Sequence, residues 1–145
     1  MSEMKYTYKN RTEYDIKKAC VEYGFLYTKR FKKVDNDYIL SKWNGIGAKG
    51  SWINKFIPNH ILGVDISLAS APHDCEWSFE PKSKIKFHLS NLYLFFNIAQ
   101  ILRKHIKWKW LLIFAYSRTA KYYFAVETDI GYENYMKHEK ERNKQ

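Results

Sequence analysis

The chain has 145 residues, of which 46% are hydrophobic and 18% aromatic, and this length and composition exclude a disordered chain and predict a single domain with its own core. Only two cysteines, Cys20 and Cys75, are present, which excludes a dense disulfide framework and favours two buried thiols. The net charge of +10 favours partners that carry phosphate or carboxylate groups, without choosing among nucleic acid, anionic lipid and acidic protein.

The N-terminal third reads as one helix followed by a long loop. Residues 1–11 are polar and lack the apolar run of a signal peptide, so we expect a flexible segment on a chain synthesised in the cytoplasm. Helical spacing of apolar residues predicts a helix over 12–30, with Thr12 as its N-cap. Residues 34–64 contain four of the six glycines and are interpreted as loop.

The C-terminal two thirds predicts helices almost throughout. A helix around His73 either begins near Ser70 or bends at Pro72. A second helix, over 86–104, is apolar almost all round and is expected to be the buried central helix. A third helical region spans 106–138 with a break near Gly131, and 139–145 is expected to be flexible. The longest apolar run, 92–98, is too short to cross a bilayer, so the prediction is an all-α domain over 1–145 without a transmembrane segment.

The dipeptide His73-Asp74 is the strongest chemical signal. Adjacent helical residues point about 100° apart, so the imidazole and the carboxylate serve different tasks. A carboxylate and the carbonyls of a glycine turn are typical calcium ligands, and a neighbouring imidazole can deprotonate water. The turn Gly45-Ile46-Gly47 lies about two dozen residues before His73 and is the candidate for those carbonyls.

The order of these motifs resembles the phospholipase A2 superfamily. The matching features are a Gly-x-Gly loop at 45–47, a helix with His73-Asp74-x-x-Trp77, and a following antiparallel helix that holds a residue orienting the histidine. The chain is similar, more closely, to small uncharacterised bacterial and phage proteins with a Gly-x-Asp-Ile-Ser stretch before His-Asp and a Tyr-Tyr-x-Ala-Val stretch after it. Those stretches are residues 63–67 and 122–126 here, and the resemblance covers about residues 43–126.

The resemblance implies a calcium-dependent hydrolase that acts on glycerophospholipid esters. His73 would be the general base and Asp74 would bind Ca²⁺, together with the carbonyls of Trp43, Gly45 and Gly47. Asn91 would orient His73 from the position where the family has Asp. An amide oxygen can hold an imidazole, but it carries no charge to stabilise the imidazolium.

Asn91 therefore leaves an alternative open. The chain could be a catalytically weak or inactive structural or interaction module of the same fold, such as a phage virion component that contacts other virion proteins or is released by lysis. The simpler interpretation of His73-Asp74 is an ordinary helical pair, and that of Asn91 is a satisfied core amide.

A basic and aromatic segment, 103–110, admits three interpretations. Its tryptophans and lysines could lie at an anionic phospholipid surface or stack on single-stranded nucleic acid. We favour the third, a junction between helices in which the Trp rings are core and the Lys residues are solvated.

Overall fold

The computed structural model describes residues 4–46 and 59–140, and this part of the chain is all-α, as the sequence predicts. Its seven α-helices are α1 (Ile16–Tyr23), α2 (Lys29–Lys33), α3 (Asn36–Lys42), α4 (Ser70–Ser78), α5 (Lys84–His105), α6 (Lys109–Val126) and α7 (Asp129–Lys140). Two short antiparallel strands, β1 (His60–Ile61) and β2 (Val64–Asp65), form a hairpin in which Ile61 pairs with Val64. No helix in the described ranges has the length and hydrophobicity of a membrane span.

The predicted helix over 12–30 is two helices, because Gly24 ends the first. Asp15, not Thr12, caps α1 by accepting a hydrogen bond from the N–H of Lys18. Gly24 adopts the left-handed conformation (φ +68°), and its N–H bonds the free carbonyls of Cys20 and Val21. Thr28 then caps α2, which lasts only five residues.

The predicted loop over 34–64 contains structure at both ends. Asp35 caps α3 by accepting from the N–H of Tyr38, and Ile39 is fully buried in this helix. The β-hairpin occupies the other end. Residues 47–58 lie outside the described residues.

Pro72 lies in the first turn of α4, so it begins the helix instead of bending it. The helix starts at Ser70, directly after a 3₁₀ turn over Ser67–Ala69. An N–H in the first turn has no partner within its helix, so proline costs little there. The Ser70 hydroxyl donates to the Ser67 carbonyl (2.7 Å) and does not cap α4.

Helix α5 is central, as predicted, but it is not buried all round. Its core face includes Phe87, Leu94, Ile98, Ile101 and Leu102. Asn97 on this face bonds both backbone groups of Leu26, which satisfies a buried amide. The opposite side of the helix exposes four large apolar residues, Ile85, Leu89, Leu92 and Phe96. The expectation of complete burial is therefore wrong.

The junction before α6 also differs from expectation. Trp108 is 67% exposed and Trp110 is 64% exposed, so the interpretation of these rings as core is wrong. The break in the third helical region falls at Glu127 and Thr128, not at Gly131. Gly131 lies inside α7, where a Cβ atom would collide with the Val126 carbonyl.

The N-terminal segment is packed where it is described. Tyr6 is buried, with its ring centroid 4.9 Å from that of Tyr14. The N–H of Tyr8 donates to the buried Asp65 carboxylate (3.3 Å). Residues 4–11, which the sequence predicts to be flexible, therefore pack against the rest of the domain, while 1–3 and 141–145 lie outside the described residues.

The two cysteines are buried and form no disulfide, as expected. Burial raises the pKa of both thiols, with proximity of the two sulfurs adding to the effect for Cys20. Such thiols are poor nucleophiles and poor metal ligands. Cys20 and Cys75 therefore serve as small core residues.

Candidate active site

Helices α4 and α5 pack in antiparallel fashion and bring the predicted histidine and asparagine together. His73 Nε2 lies 2.8 Å from Asn91 Oδ1. Four residues along α4, the Trp77 indole donates to the Ser90 hydroxyl (3.1 Å). His73 is only 8% exposed and Asn91 is fully buried, so their contact is shielded from water. The spatial relation expected from the sequence, an imidazole of one helix against an amide of the next, is present.

The Asn91 amide also contacts a residue that the sequence analysis did not identify. Asn91 Nδ2 donates to Glu127 Oε1 (3.1 Å), at the end of α6. The other oxygen of Glu127, Oε2, lies 2.5 Å from His88 Nδ1. These contacts link four side chains from three helices into one hydrogen-bond network, His73–Asn91–Glu127–His88.

This hydrogen-bond network determines which nitrogen of His73 carries the proton. An ionised carboxylate can only accept hydrogen bonds, so Glu127 turns the NH₂ of Asn91 toward itself. The amide oxygen then faces His73, and Nε2 must be the donor. In a neutral imidazole the lone pair, which a general base needs, is therefore on Nδ1.

Nδ1 of His73 faces the neighbouring carboxylate. It lies 3.3 Å from Asp74 Oδ1. Both atoms are acceptors when the imidazole is neutral, so this position favours a proton donor, such as water, that can bond to both. A base and a carboxylate that share one donor form an arrangement suited to activating water.

Asp74 also contacts the glycine turn. Its Oδ2 accepts from the backbone N–H of Asn44 (2.9 Å), and its side chain is 17% exposed. The carboxylate therefore lies beside the predicted calcium loop. The turn directs an N–H at Asp74 here, whereas the sequence analysis anticipated carbonyls.

Of the predicted carbonyl ligands, Trp43 and Gly45 are described and Gly47 lies outside the described residues. The Trp43 carbonyl accepts a long hydrogen bond from the Tyr8 hydroxyl (3.4 Å). A carbonyl oxygen has two lone pairs, so the second one can still bind a cation. Gly45 has φ +82°, and a Cβ there would lie 3.0 Å from Asn59 Oδ1, so only glycine fits this turn.

The Asp74 carboxylate and these carbonyls fit a hard cation in chemical type. They are oxygen atoms, which calcium prefers, and the set needs only one carboxylate. Within 4–46 and 59–140, this site included, no three His, Cys, Asp or Glu side chains form a group that could hold a metal, so a cation here would depend on Asp74 and backbone carbonyls.

Three residues of the motif region prove to be structural. The Ser70 hydroxyl accepts from the buried Trp43 indole (2.9 Å), which fixes the start of α4 against the glycine turn. Trp77 packs on His73 with ring centroids 4.7 Å apart and limits its movement. Glu76 forms a buried ion pair with Arg30 (2.9 Å) and has no contact with His73 in the described structure.

A signal for Glu127 was present in the sequence. Residues 81–126 contain no Asp or Glu, so Glu127 is the first acidic residue after Glu80. A lone carboxylate at the end of a long basic and apolar stretch is a candidate partner for buried polar groups such as Asn91. Because Glu127 is far from His73 in the sequence, the sequence did not indicate that Asn91 links the two.

No family model, curated protein or solved structure matches the chain.

Proposed function

We propose that this protein is a calcium-dependent, phospholipase A2-like hydrolase of glycerophospholipid esters. The observation that supports the proposal most is the hydrogen bond between His73 Nε2 and Asn91 Oδ1 (2.8 Å), held by Glu127. It leaves Nδ1 of a shielded imidazole as the base. An ordinary surface pair of His and Asp would not need this support from two further helices.

In this proposal the chain's own residues each have a defined task. His73 Nδ1 takes a proton from water, and the water oxygen attacks the ester carbonyl to give a tetrahedral intermediate. As the intermediate collapses, the ester C–O bond breaks and the imidazolium returns its proton to the leaving lysophospholipid oxygen, which releases the fatty acid. Asn91 holds the imidazolium through its amide oxygen, and Glu127 supplies the negative charge that Asn91 lacks, one hydrogen bond further away. Trp77 keeps the ring in place by stacking on it.

Asp74 with the carbonyls of Trp43, Gly45 and Gly47 would hold calcium. When bound, the ion would neutralise the charge that develops on the ester oxygen and the charge of the phosphate. Asp74 is suited to this because it lies beside both the base and the glycine turn.

A second candidate is a module of the same fold that has no catalytic function. The contact of Asn44 N–H with Asp74 favours it, because this contact satisfies the carboxylate within the protein. The uncharged Asn91 beside His73 favours it as well. Such a module could bind other proteins, for instance in a phage particle.

Calcium titration followed by thermal unfolding distinguishes the two candidates. For a ligand at about 100 times its Kd, mass action stabilises the native state by about 2.7 kcal/mol, which raises the Tm by several degrees. We expect this rise in the wild type and its absence in Asp74→Ala. Magnesium at the same ionic strength controls for general salt effects.

Hydrolysis of a short-chain phosphatidylcholine tests the chemistry separately. The expected result is calcium-dependent release of fatty acid that is lost in His73→Ala and kept in Val21→Ser, a substitution at an exposed position on α1. A wild type that neither gains stability with calcium nor releases fatty acid would favour the non-catalytic module.

A further inference from the structure

Helix α5 presents an apolar stripe to solvent. Ile85, Leu89, Leu92 and Phe96 recur at helical spacing and are 79, 38, 50 and 38% exposed. Exposed apolar residues are common singly, but a continuous row on one face marks an interaction site.

Helix α6 carries a second exposed stripe. Trp110, Ile113, Phe114 and Phe124 are 64, 67, 47 and 69% exposed and share one side of the helix. Only Ala115 and Thr119 are fully buried in α6. Leu111, Leu112, Tyr116 and Tyr122 pack partly buried against the core, and the exposed stripe lies on another side of the helix.

The two stripes lie side by side. The contacts Asn91–Glu127 and Phe95–Tyr123 show that α5 and α6 pack in antiparallel fashion. On each helix the exposed stripe lies about a quarter turn from the contacting residues, as the spacing of 100° per residue requires. Because the helices are antiparallel, both stripes lie on the same side of the plane that contains the two helix axes. The stripes therefore form one surface, which we call the outer face.

The two helices of the outer face carry charged side chains of one sign. Helix α5 contributes four Lys and Arg and α6 contributes three, and neither has an Asp or Glu. Lys109 and Lys121 are both exposed on α6. A second copy of this chain would bring two positive faces together, which like charges oppose, and nucleic acid would leave the aliphatic side chains uncovered.

We infer that the outer face is a docking surface for an anionic phospholipid bilayer. Apolar side chains enter the acyl boundary, Trp108 and Trp110 lie at headgroup level, and the lysines contact anionic headgroups. The inference needs no catalysis, and it stands whether or not His73 acts as a base.

Co-sedimentation with vesicles tests this inference. Vesicles are made of ether-linked phosphatidylcholine, alone or with ether-linked phosphatidylglycerol. These lipids contain no carboxylic ester for the proposed hydrolase to cleave, so a failure of the proposed hydrolase does not affect the result. The wild type is expected to bind the anionic vesicles, and less so as salt rises. Trp110→Ser combined with Ile113→Ser is expected to weaken binding at least about tenfold.

Val21→Ser is the matched control, because Val21 on α1 is as exposed (62%) and lies outside the outer face. It is expected to bind like the wild type. Lys109→Glu with Lys121→Glu is expected to abolish the preference for anionic vesicles. Circular dichroism establishes that each variant is folded.

Three results would overturn the inference. The first is no binding of the wild type to anionic vesicles. The second is unchanged binding by the Trp110 and Ile113 variant. The third is that the wild type forms a dimer in sedimentation velocity, or a complex with single-stranded DNA, and the Trp110 and Ile113 variant loses this association but still binds vesicles.

Discussion

At the scale of single residues, the site depends on a division of labour between Asn91 and Glu127. Where the phospholipase A2 pattern has one carboxylate beside the histidine, this chain has an amide beside it and a carboxylate behind the amide. The amide fixes the orientation of the imidazole, because its NH₂ group must face an acceptor and its oxygen must face a donor. The charge lies further from His73 than in that pattern.

We predict that Asn91→Asp alone will not improve the site. It would place an oxygen where Nδ2 now lies, 3.1 Å from the Glu127 carboxylate, and two buried carboxylates at that distance repel. The expected loss is about 3 kcal/mol of unfolding free energy, measured by chemical denaturation.

Combining Asn91→Asp with Glu127→Gln should restore most of that loss, because Gln can donate to the new carboxylate. Strict additivity of the two single changes in a double-mutant cycle would contradict the proposed link between residues 91 and 127. Glu127→Gln alone serves as the control.

His105 gives a prediction for the effect of pH. Burial lowers its pKa below the ordinary 6.5, and the charge of Lys104 adds to this. The unfolded chain therefore binds the proton more tightly. The stability from neutral His105 is complete above pH 6.5 and is lost as the pH falls through the folded pKa. Its Nε2 lies 2.6 Å from the Tyr23 hydroxyl, which holds the ring at this position.

Thermal unfolding between about pH 7.5 and about pH 5 checks this sign. The wild type should lose more Tm over that range than His105→Gln does. Equal losses in the two proteins would show that other groups account for the acid sensitivity.

At the scale of helices and strands, local signals predicted the centres of elements better than their ends. The run 86–104 identified α5 (Lys84–His105) within two residues, because a long apolar segment without Pro or Gly has few alternatives. The short helix α3 was missed and α2 was merged with α1, since five to seven residues give little periodicity and their caps, Asp35 and Thr28, are recognisable only from the bonds they make.

The Gly24 cap can be tested directly. Gly24→Ala should destabilise the protein by about 1 kcal/mol, because an alanine disfavours a φ of +68°. Gly24→Asn is the matched control and should cost less, since Asn tolerates this conformation better. Denaturant unfolding measures both, and an equal cost would assign the effect to the loss of space beside Gln100 instead.

At the scale of the whole molecule, tertiary contacts decided what sequence patterns could not. The pairing of His73 with Asn91 was expected from the resemblance of the motif order to the phospholipase A2 pattern. The contact with Glu127, the packing of residues 4–11 and the exposure of Trp108 and Trp110 were not, because each depends on segments far apart in the chain. Apolar composition alone does not say which of several apolar helix faces is covered.

The packing of the N-terminal segment leads to a prediction for the global stability. Tyr6→Ala removes a buried ring that contacts Tyr14 and Tyr23, and it should cost about 3 kcal/mol. Lys9→Ala changes an exposed neighbour in the same segment and should have little effect. A Tyr6→Ala protein as stable as the wild type would show that residues 4–11 add nothing to the core.

The position of Glu127 directly after α6 constrains the length of that helix. Deleting a single residue between Tyr123 and Glu127 would turn the carboxylate by about 100° and draw it back by about 1.5 Å. Asn91 and His88 would lose it together, although residues of α6 that pack against the core, such as Leu111 and Tyr116, precede the deletion and would keep their positions. The number of residues in α6 is therefore set by the chemistry at its last turn, and helices of other lengths at this place in related chains would have to find another acceptor for the amide.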